Sequence, residues 1–227
     1  SNMSTQVLIV GGNAAGMSTA TRLRRLDENA EITIIESTDH VSYASCGLPY
    51  HLNDTVPESE LAVMGVDQLS AAFDLDIRTG ETVTGLDTEA KTAAVEPRDG
   101  EAYELDYDEL VLATGAEPLV PPMFDVEALD HCHTLRTVSE AVDIREQVDD
   151  AERALVIGAG YIGIEVAENL HEAGHSVVVA ELFDQVMPNT LGDEMATLVE
   201  SHLREQGVEL QLGAGVEDLT EADDGTI

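Results

Sequence analysis

The sequence predicts an α/β fold made of two like units, with a short antiparallel meander inside the first. Two observations carry this. An apolar strand running into a glycine loop, a helix and a second strand that ends in an acid occurs twice, at residues 6–36 and 154–181, and a strand–helix–strand order of that kind builds parallel sheets. Between the two, residues 81–113 break into short strands parted by turn residues such as Arg98-Asp99-Gly100, the pattern of antiparallel strands.

In chain order, Gln6 to Val10 is an apolar run leading into Gly11-Gly12-Asn13-Ala14-Ala15-Gly16. Met17, Ala20, Leu23 and Leu26 then recur at helical spacing, and Ile32 to Ile35 forms the next strand, with Glu36 at its end. Such a unit sets a pyrophosphate on a helix N-terminus and offers a carboxylate to ribose hydroxyls, so it is a candidate dinucleotide site. Asn13 stands where GxGxxG has its middle glycine and crowds a phosphate unless the loop is shifted, so a tight structural turn is the other reading.

Past residues 42–50, Val66 to Phe73 reads as a short helix and Asp76 to Thr79 as extended chain. The meander follows and ends in Glu109-Leu110-Val111-Leu112-Ala113-Thr114-Gly115, where a glycine lets backbone come close to a cofactor. Pro118, Pro121 and Pro122 mark the passage to the second unit. There Ala154 to Ile157 is a strand, Gly158-Ala159-Gly160-Tyr161-Ile162-Gly163 a complete GxGxxG, Ile164 to Ala173 a helix, and Ser176 to Ala180 a strand tipped by Glu181. Motif, context and acid agree on a dinucleotide site, and an acid at that tip favours NADH over NADPH by repelling a 2′-phosphate. A helix over 193–206 and a strand over 208–212 follow.

At 227 residues, of which 43% are apolar, the chain folds as two modest domains and not as a disordered acidic polymer. Forty-six acidic residues against ten basic ones, a formal charge of −36, argue against nucleic acid or an anionic membrane as partner. They fit a salt-loving source, since salt screens such a surface. The two cysteines, Cys46 and Cys132, form no CxxC or metal-ligand spacing, and no apolar run approaches the roughly 20 residues of a membrane span. The expectation is a soluble, reducing, cytoplasmic setting. Ser1-Asn2 ahead of Met3 reads as a tag scar.

The remaining motif is Ser42-Tyr43-Ala44-Ser45-Cys46-Gly47-Leu48-Pro49-Tyr50. Proline suits the first turn of a helix, which places Cys46 at a helix N-terminus, where positive potential favours the thiolate. The alternative is a buried cysteine acting as a small hydrophobe. The two glycine loops favour the nucleophile.

Together the first glycine loop, Ser-Cys-Gly-Leu-Pro-Tyr at 45–50, Leu-Ala-Thr-Gly-Ala at 112–116 and Gly-Ala-Gly-Tyr-Ile-Gly at 158–163 resemble one family. It is the single-cysteine branch of the flavin and pyridine-nucleotide disulfide oxidoreductases, which holds coenzyme A disulfide reductases, NADH oxidases and NADH peroxidases. The resemblance implies two Rossmann-like dinucleotide-binding units. Residues 3–116 would be the first part of an FAD domain, holding FAD through Gly11, Gly12, Ala14, Ala15, Gly16, Glu36, Val83, Ala113, Thr114 and Gly115. Residues 117–227 would bind NADH, with NADPH less favoured, through Gly158, Gly160, Tyr161, Ile162, Gly163 and Glu181.

By the same resemblance Cys46 is the catalytic residue facing the flavin, cycling as a mixed disulfide or sulfenic acid. Oxidase and peroxidase members carry a histidine in the first glycine loop, where this chain has Ala14, so the disulfide reductases are the nearer match. Their coenzyme A contacts correspond to Ser18, Arg22, Arg25, Ser42 and Ser45. Arg22 and Arg25 share a helix face, and the group Arg22, Arg24, Arg25 reads either as a site for a phosphate-rich ligand or as a solvated face paired with Asp27 and Glu28.

The implied function is passage of a hydride from NADH through FAD to Cys46, which reduces coenzyme A disulfide or a related small disulfide or polysulfide. The alternatives are an NADH oxidase or peroxidase and, in another class, a redox sensor or ferredoxin-coupled reductase with a structural Cys46. Family chains are longer, so this one reads as an N-terminal fragment without the rest of the FAD domain and the C-terminal dimerisation domain, its parent a homodimer. His131-Cys132-His133 is not read as a metal site, because Thr134-Leu135-Arg136 after it match a strand-to-helix junction of the family.

Overall fold

The computed structural model describes residues 4–220; residues 1–3, the Ser1-Asn2 pair among them, and the chain's last seven residues lie outside them. The chain opens with β1 (Gln6–Val10), α1 (Ala14–Leu26) and β2 (Glu31–Glu36), then a 3-10 turn at Ser45–Gly47 and the one-turn helix α2 (Leu48–His51). After α3 (Glu58–Leu61), α4 (Val66–Phe73) and β3 (Asp76–Thr79) come three short strands, β4 (Glu81–Asp87), β5 (Thr92–Pro97) and β6 (Tyr103–Asp106), and then β7 (Glu109–Leu112). Next are α5 (Val138–Val148), β8 (Arg153–Ile157), α6 (Tyr161–Glu172), β9 (Ser176–Glu181), α7 (Asp193–Gln206) and β10 (Glu209–Leu212).

Two compact units result, residues 4–44 with 59–117, and residues 45–58 with 118–220. The first holds a parallel sheet in the order β3-β2-β1-β7 and an antiparallel sheet β4-β5-β6. The second holds a parallel sheet in the order β10-β9-β8. The α/β class and both strand–loop–helix–strand repeats are therefore present, with β8, α6, β9 and β10 repeating β1, α1, β2 and β3. One expectation fails in detail. The strand at 109–112 is no part of the meander: it pairs parallel with β1, Val7 opposite Glu109 through Val10 opposite Leu112, so the meander closes at β6.

Strand alternation explains why the first sheet is covered on both faces. Val7 and Ile9 point with Ile32 and Ile34 into a core shared with Met17, Ala20, Leu69 and Leu75 from α1, α4 and the turn after it. Leu8 and Val10 point the other way, with Ile35, onto Ala93 and Val95 of the antiparallel sheet. In the second unit Val177 and Val179 pack with Ala167 and Leu170 of α6, Ile144 of α5 and Ala196 and Leu203 of α7. Leu155 and Ile157 of β8 face outward, 49% and 44% exposed.

Residues 45–58 join the second unit although the expected boundary put them with 3–116. Leu52, fully buried, sits in the second unit's core. Helix α5 follows the junction read at Thr134-Leu135-Arg136, which gave it no range, and its start carries a further legible signal, since Thr137 and Glu140 have capping-box spacing. The Thr137 hydroxyl accepts from the Glu140 amide at 3.2 Å, and the Glu140 carboxylate accepts from the Thr137 amide at 2.7 Å.

Candidate functional site

Each glycine loop is shaped by one glycine at positive φ and one that admits the backbone. Gly11 has φ +103° and Gly158 φ +100°, a region costly to residues with a Cβ. Their amides donate to the Ile35 and Ala180 carbonyls, both at 2.8 Å, tying each loop to the neighbouring strand. A Cβ on Gly16 would lie 1.8 Å from the Gly11 oxygen, and one on Gly163 1.9 Å from the Gly158 oxygen, so only glycine lets either helix start so close to its strand. In the first unit the Ala113 amide also donates to the Val10 carbonyl at 2.8 Å, and a Cβ on Gly11 would meet the Ala113 oxygen at 2.2 Å. Ala113, and with it Thr114 and Gly115 (φ +72°), thus stands against the first loop.

The acids behave alike. Glu36 is buried, and its Oε2 accepts from the Gly12 amide at 2.7 Å and its Oε1 from the Thr38 amide at 2.8 Å. Glu181 is buried too, accepting from Ala159 at 2.7 Å and Phe183 at 2.9 Å. Each carboxylate thus fixes its own loop while keeping lone pairs free, since an ionised carboxylate offers about four acceptor positions. That structural duty was not read from the sequence.

The helix ends point to an anion. Helices α4, α5 and α7 carry acids in their first turns, Asp67, Glu140, and Asp193 with Glu194. Helices α1 and α6, which follow the glycine loops, have none there and no side-chain cap, in a chain with 46 acidic residues. Their first-turn amides are left for a ligand, and the positive dipole end is not neutralised. Gly160 adds space, because nothing lies within 4 Å of where its Cβ would be, as a cradle for a pyrophosphate requires. In the first loop Asn13 takes that place as the N-cap of α1, making no cap hydrogen bond, and its Oδ1 is buried without a partner. Both loops fit a dinucleotide, the second more openly. Val83, on β4, packs in the core between the two sheets of the first unit, and Tyr161 and Ile162 are exposed at the start of α6.

Cys46 is exposed, so the buried-hydrophobe reading does not describe it. It lies in the 3-10 turn one residue before Gly47, the N-cap of α2, with Pro49 in the first turn as expected. That helix is only four residues long, far shorter than the sequence argument for a helix dipole assumed. Cys132 is half-buried, and burial pushes its thiol pKa up. Among the described residues no group of three or more metal-binding side chains exists; His131 and His133 both meet the Gln147 Oε1, at 3.1 and 2.9 Å.

The polar candidates divide. Ser18, Arg22 and Arg25 are exposed on one face of α1. Arg24 is not with them: its guanidinium donates to the carbonyls of Phe73, Glu28, Ala30 and Asp74 at 2.6–3.0 Å, knitting the end of α1 to the end of α4. Arg22 and Arg25 make no hydrogen bond or ion pair among the described residues, so pairing with Asp27 and Glu28 is not seen. Ser42 adjoins the first loop, its amide donating to the Gly12 carbonyl at 2.9 Å, whereas Ser45 and Cys46 belong to the second unit. No described helix is long and apolar enough to cross a membrane.

Comparison with known proteins agrees with this geometry. The family model for pyridine nucleotide-disulphide oxidoreductases matches residues 5–227. An NADH oxidase of Methanocaldococcus jannaschii is 31% identical over 217 residues, 94% of this chain and 48% of the relative. A coenzyme A disulfide reductase of Staphylococcus haemolyticus is 34% identical over 201 residues, 84% of this chain and 45% of the relative. The solved structure of an NAD-dependent persulfide reductase from A. fulgidus superposes with a TM-score of 0.91 at 39% identity, over 97% of this chain and 42% of that one. The chain spans about half the length of the curated relatives it matches. With two glycine loops, two buried acids and a family model covering nearly all of it, the chain belongs to the pyridine nucleotide-disulphide oxidoreductase family.

Proposed function

We propose that this chain is the nucleotide-binding portion of an NADH-dependent flavoprotein that reduces coenzyme A disulfide or a related persulfide or polysulfide at Cys46. The observation that carries the reading is the doubled loop: two acid-free helix starts, each with a buried glutamate fixing its glycine turn. FAD in the first unit would be held by the Gly11–Gly16 loop, Glu36, Val83 and residues 113–115, and NADH in the second by the Gly158–Gly163 loop and Glu181. Bound FAD supplies acceptance of a hydride from the nicotinamide and delivery of electrons to sulfur. The chain's own part is to seat the two pyrophosphates on α1 and α6, accept ribose hydroxyls at Glu36 and Glu181, and present an exposed thiol.

Two features favour a coenzyme A derived acceptor. Arg22 and Arg25 are cations with no acidic partner among the described residues of a strongly acidic chain, and with Ser18 they make a face suited to phosphate groups. The match to the Staphylococcus coenzyme A disulfide reductase supports the same class. The Methanocaldococcus NADH oxidase supports a second reading, in which Cys46 serves oxygen reduction. NADH oxidation by the FAD-loaded full-length protein, followed with coenzyme A disulfide and with oxygen as sole acceptor, separates them. Faster turnover with the disulfide, lost in Cys46→Ser and with its KM raised in Arg22→Ala/Arg25→Ala, is the expected result. Turnover with oxygen alone establishes the second reading, and full turnover in Cys46→Ser refutes both.

A further inference from the structure

Residues 45–58 are too short of regular structure to hold themselves, since a single helical turn is far below the length at which a helix is stable alone. What holds them is the second unit. Leu48, His51 and Leu52 are buried, and the His51 Nδ1 donates to the Val56 carbonyl at 2.9 Å, closing the turn after α2. Two polar anchors then fasten the segment. Arg145 of α5 grips Asp54 with two prongs, Nε to Oδ1 at 3.1 Å and Nη2 to Oδ2 at 2.5 Å, and its other nitrogen pairs with Asp149 one turn on. The Asn53 amide donates to Glu172 Oε2 at 2.9 Å, at the last residue of α6. Asp54 itself is in the left-handed region, φ +60°, which aspartate enters more readily than most non-glycine residues.

We propose that Arg145 and Asn53 are positioning residues for Cys46, fastening its segment to α5 and α6 so that the thiol is carried by the unit whose glycine loop opens α6. Helix α6 runs from that loop at Gly160 to Glu172 under Asn53, so one rigid element supports both the candidate nucleotide seat and the cysteine segment. The redox role of Cys46 rests on the function proposed above; the anchoring does not.

Hydrogen exchange read by mass spectrometry tests the anchor. The amides of Leu52, Asp54 and Val56 donate to Pro49, His51 and Tyr50 carbonyls at 3.1–3.2 Å and report the segment's closure. In Arg145→Gln, and more so with Asn53→Ala added, their exchange should quicken about threefold or more, with β1 and α1 unchanged, while Arg145→Lys restores part of the protection. Unchanged exchange over 45–58 in the double variant, or an equal rise throughout the chain, overturns the anchor. In the FAD-loaded full-length protein, Arg145→Gln should lower kcat with a disulfide acceptor and leave the KM for NADH alone. Unchanged kcat despite loosened exchange overturns the positioning role. Turnover that survives Cys46→Ser refutes the redox reading of Cys46 and leaves the exchange result standing.

Discussion

Two glycines three residues apart in the second loop separate packing from ligand binding, and alanine at each gives opposite outcomes. At Gly163 the new Cβ would sit 1.9 Å from the Gly158 oxygen, where about 3.5 Å is comfortable, so loop and helix must part by about 1.5 Å. Overpacking of that kind costs about 1–3 kcal/mol, or roughly 2–12 °C in Tm for a chain of this size. Gly160 is the reverse case. Its φ of −76° and ψ of −172° suit any residue, and nothing lies within 4 Å of the Cβ position. Alanine there is a weaker N-cap than glycine, but it narrows the unfolded chain by about 0.4–1 kcal/mol, and the two effects nearly offset. The methyl group does fill the cradle, parting a pyrophosphate from the α6 amides. Losing one charge-assisted hydrogen bond there, about 1.5–3 kcal/mol, weakens NADH by about 10- to 150-fold. Calorimetric titration of NADH well below the melt, beside a thermal scan of each variant, reads both quantities. Gly160→Ala with unchanged Tm and unchanged NADH affinity refutes the cradle, and Gly163→Ala with wild-type Tm refutes the packing argument.

The other expectations are as follows. Glu181→Ala frees two amides and removes the proposed ribose acceptor, so both Tm and NADH affinity should fall, the latter by about 10-fold or more; a fall in Tm alone assigns Glu181 to structure only. Desolvation and a hydrogen bond to Glu81 raise the pKa of the Tyr103 hydroxyl above its ordinary value of 10.0. The native state therefore keeps this proton at a pH where the unfolded chain has lost it, so the stabilisation is full below about pH 10 and is lost as pH rises through the folded value. Urea melts from pH 9 to pH 12 should show that decline, and Tyr103→Phe should flatten it. At pH 8 iodoacetamide should label exposed Cys46 well before Cys132, whose thiol burial holds protonated; peptide mass mapping that finds Cys132 labelled first contradicts the assignment.

Short-range chemistry made much of this molecule legible in its sequence. The strands at 6–10 and 76–79 and the helices at 66–73 and 193–206 start and stop where period and turn residues place them, because propensity and burial agree there. The strand at 109–112 was misplaced for the opposite reason. Its sequence carries a strand signal but no sign of its partner, and adjacency to three antiparallel strands gave way to pairing with β1, about a hundred residues earlier. The same limit hid the partners of Arg24. Three neighbouring arginines look alike on paper, yet the carbonyls at the end of α4 capture one of them and leave the other two to solvent.

The cysteine segment shows what kind of information is missing. Its local signals, a proline and a glycine around Cys46, describe a turn and a short helix, and both are present. Which unit carries that turn is decided by Leu52, Asn53 and Asp54, and their partners in α5 and α6 come some 90 to 120 residues later. A chain that leaves its first unit for fourteen residues and then returns has no composition shift to mark the excursion, because a buried leucine and a hydrogen-bonded asparagine look the same whichever core receives them. The consequence is mechanical. If the cysteine segment is anchored to the helix that also seats the nucleotide, changes at Arg145, some hundred residues from Cys46 in sequence, act on the thiol by position and leave the nucleotide's own contacts in place.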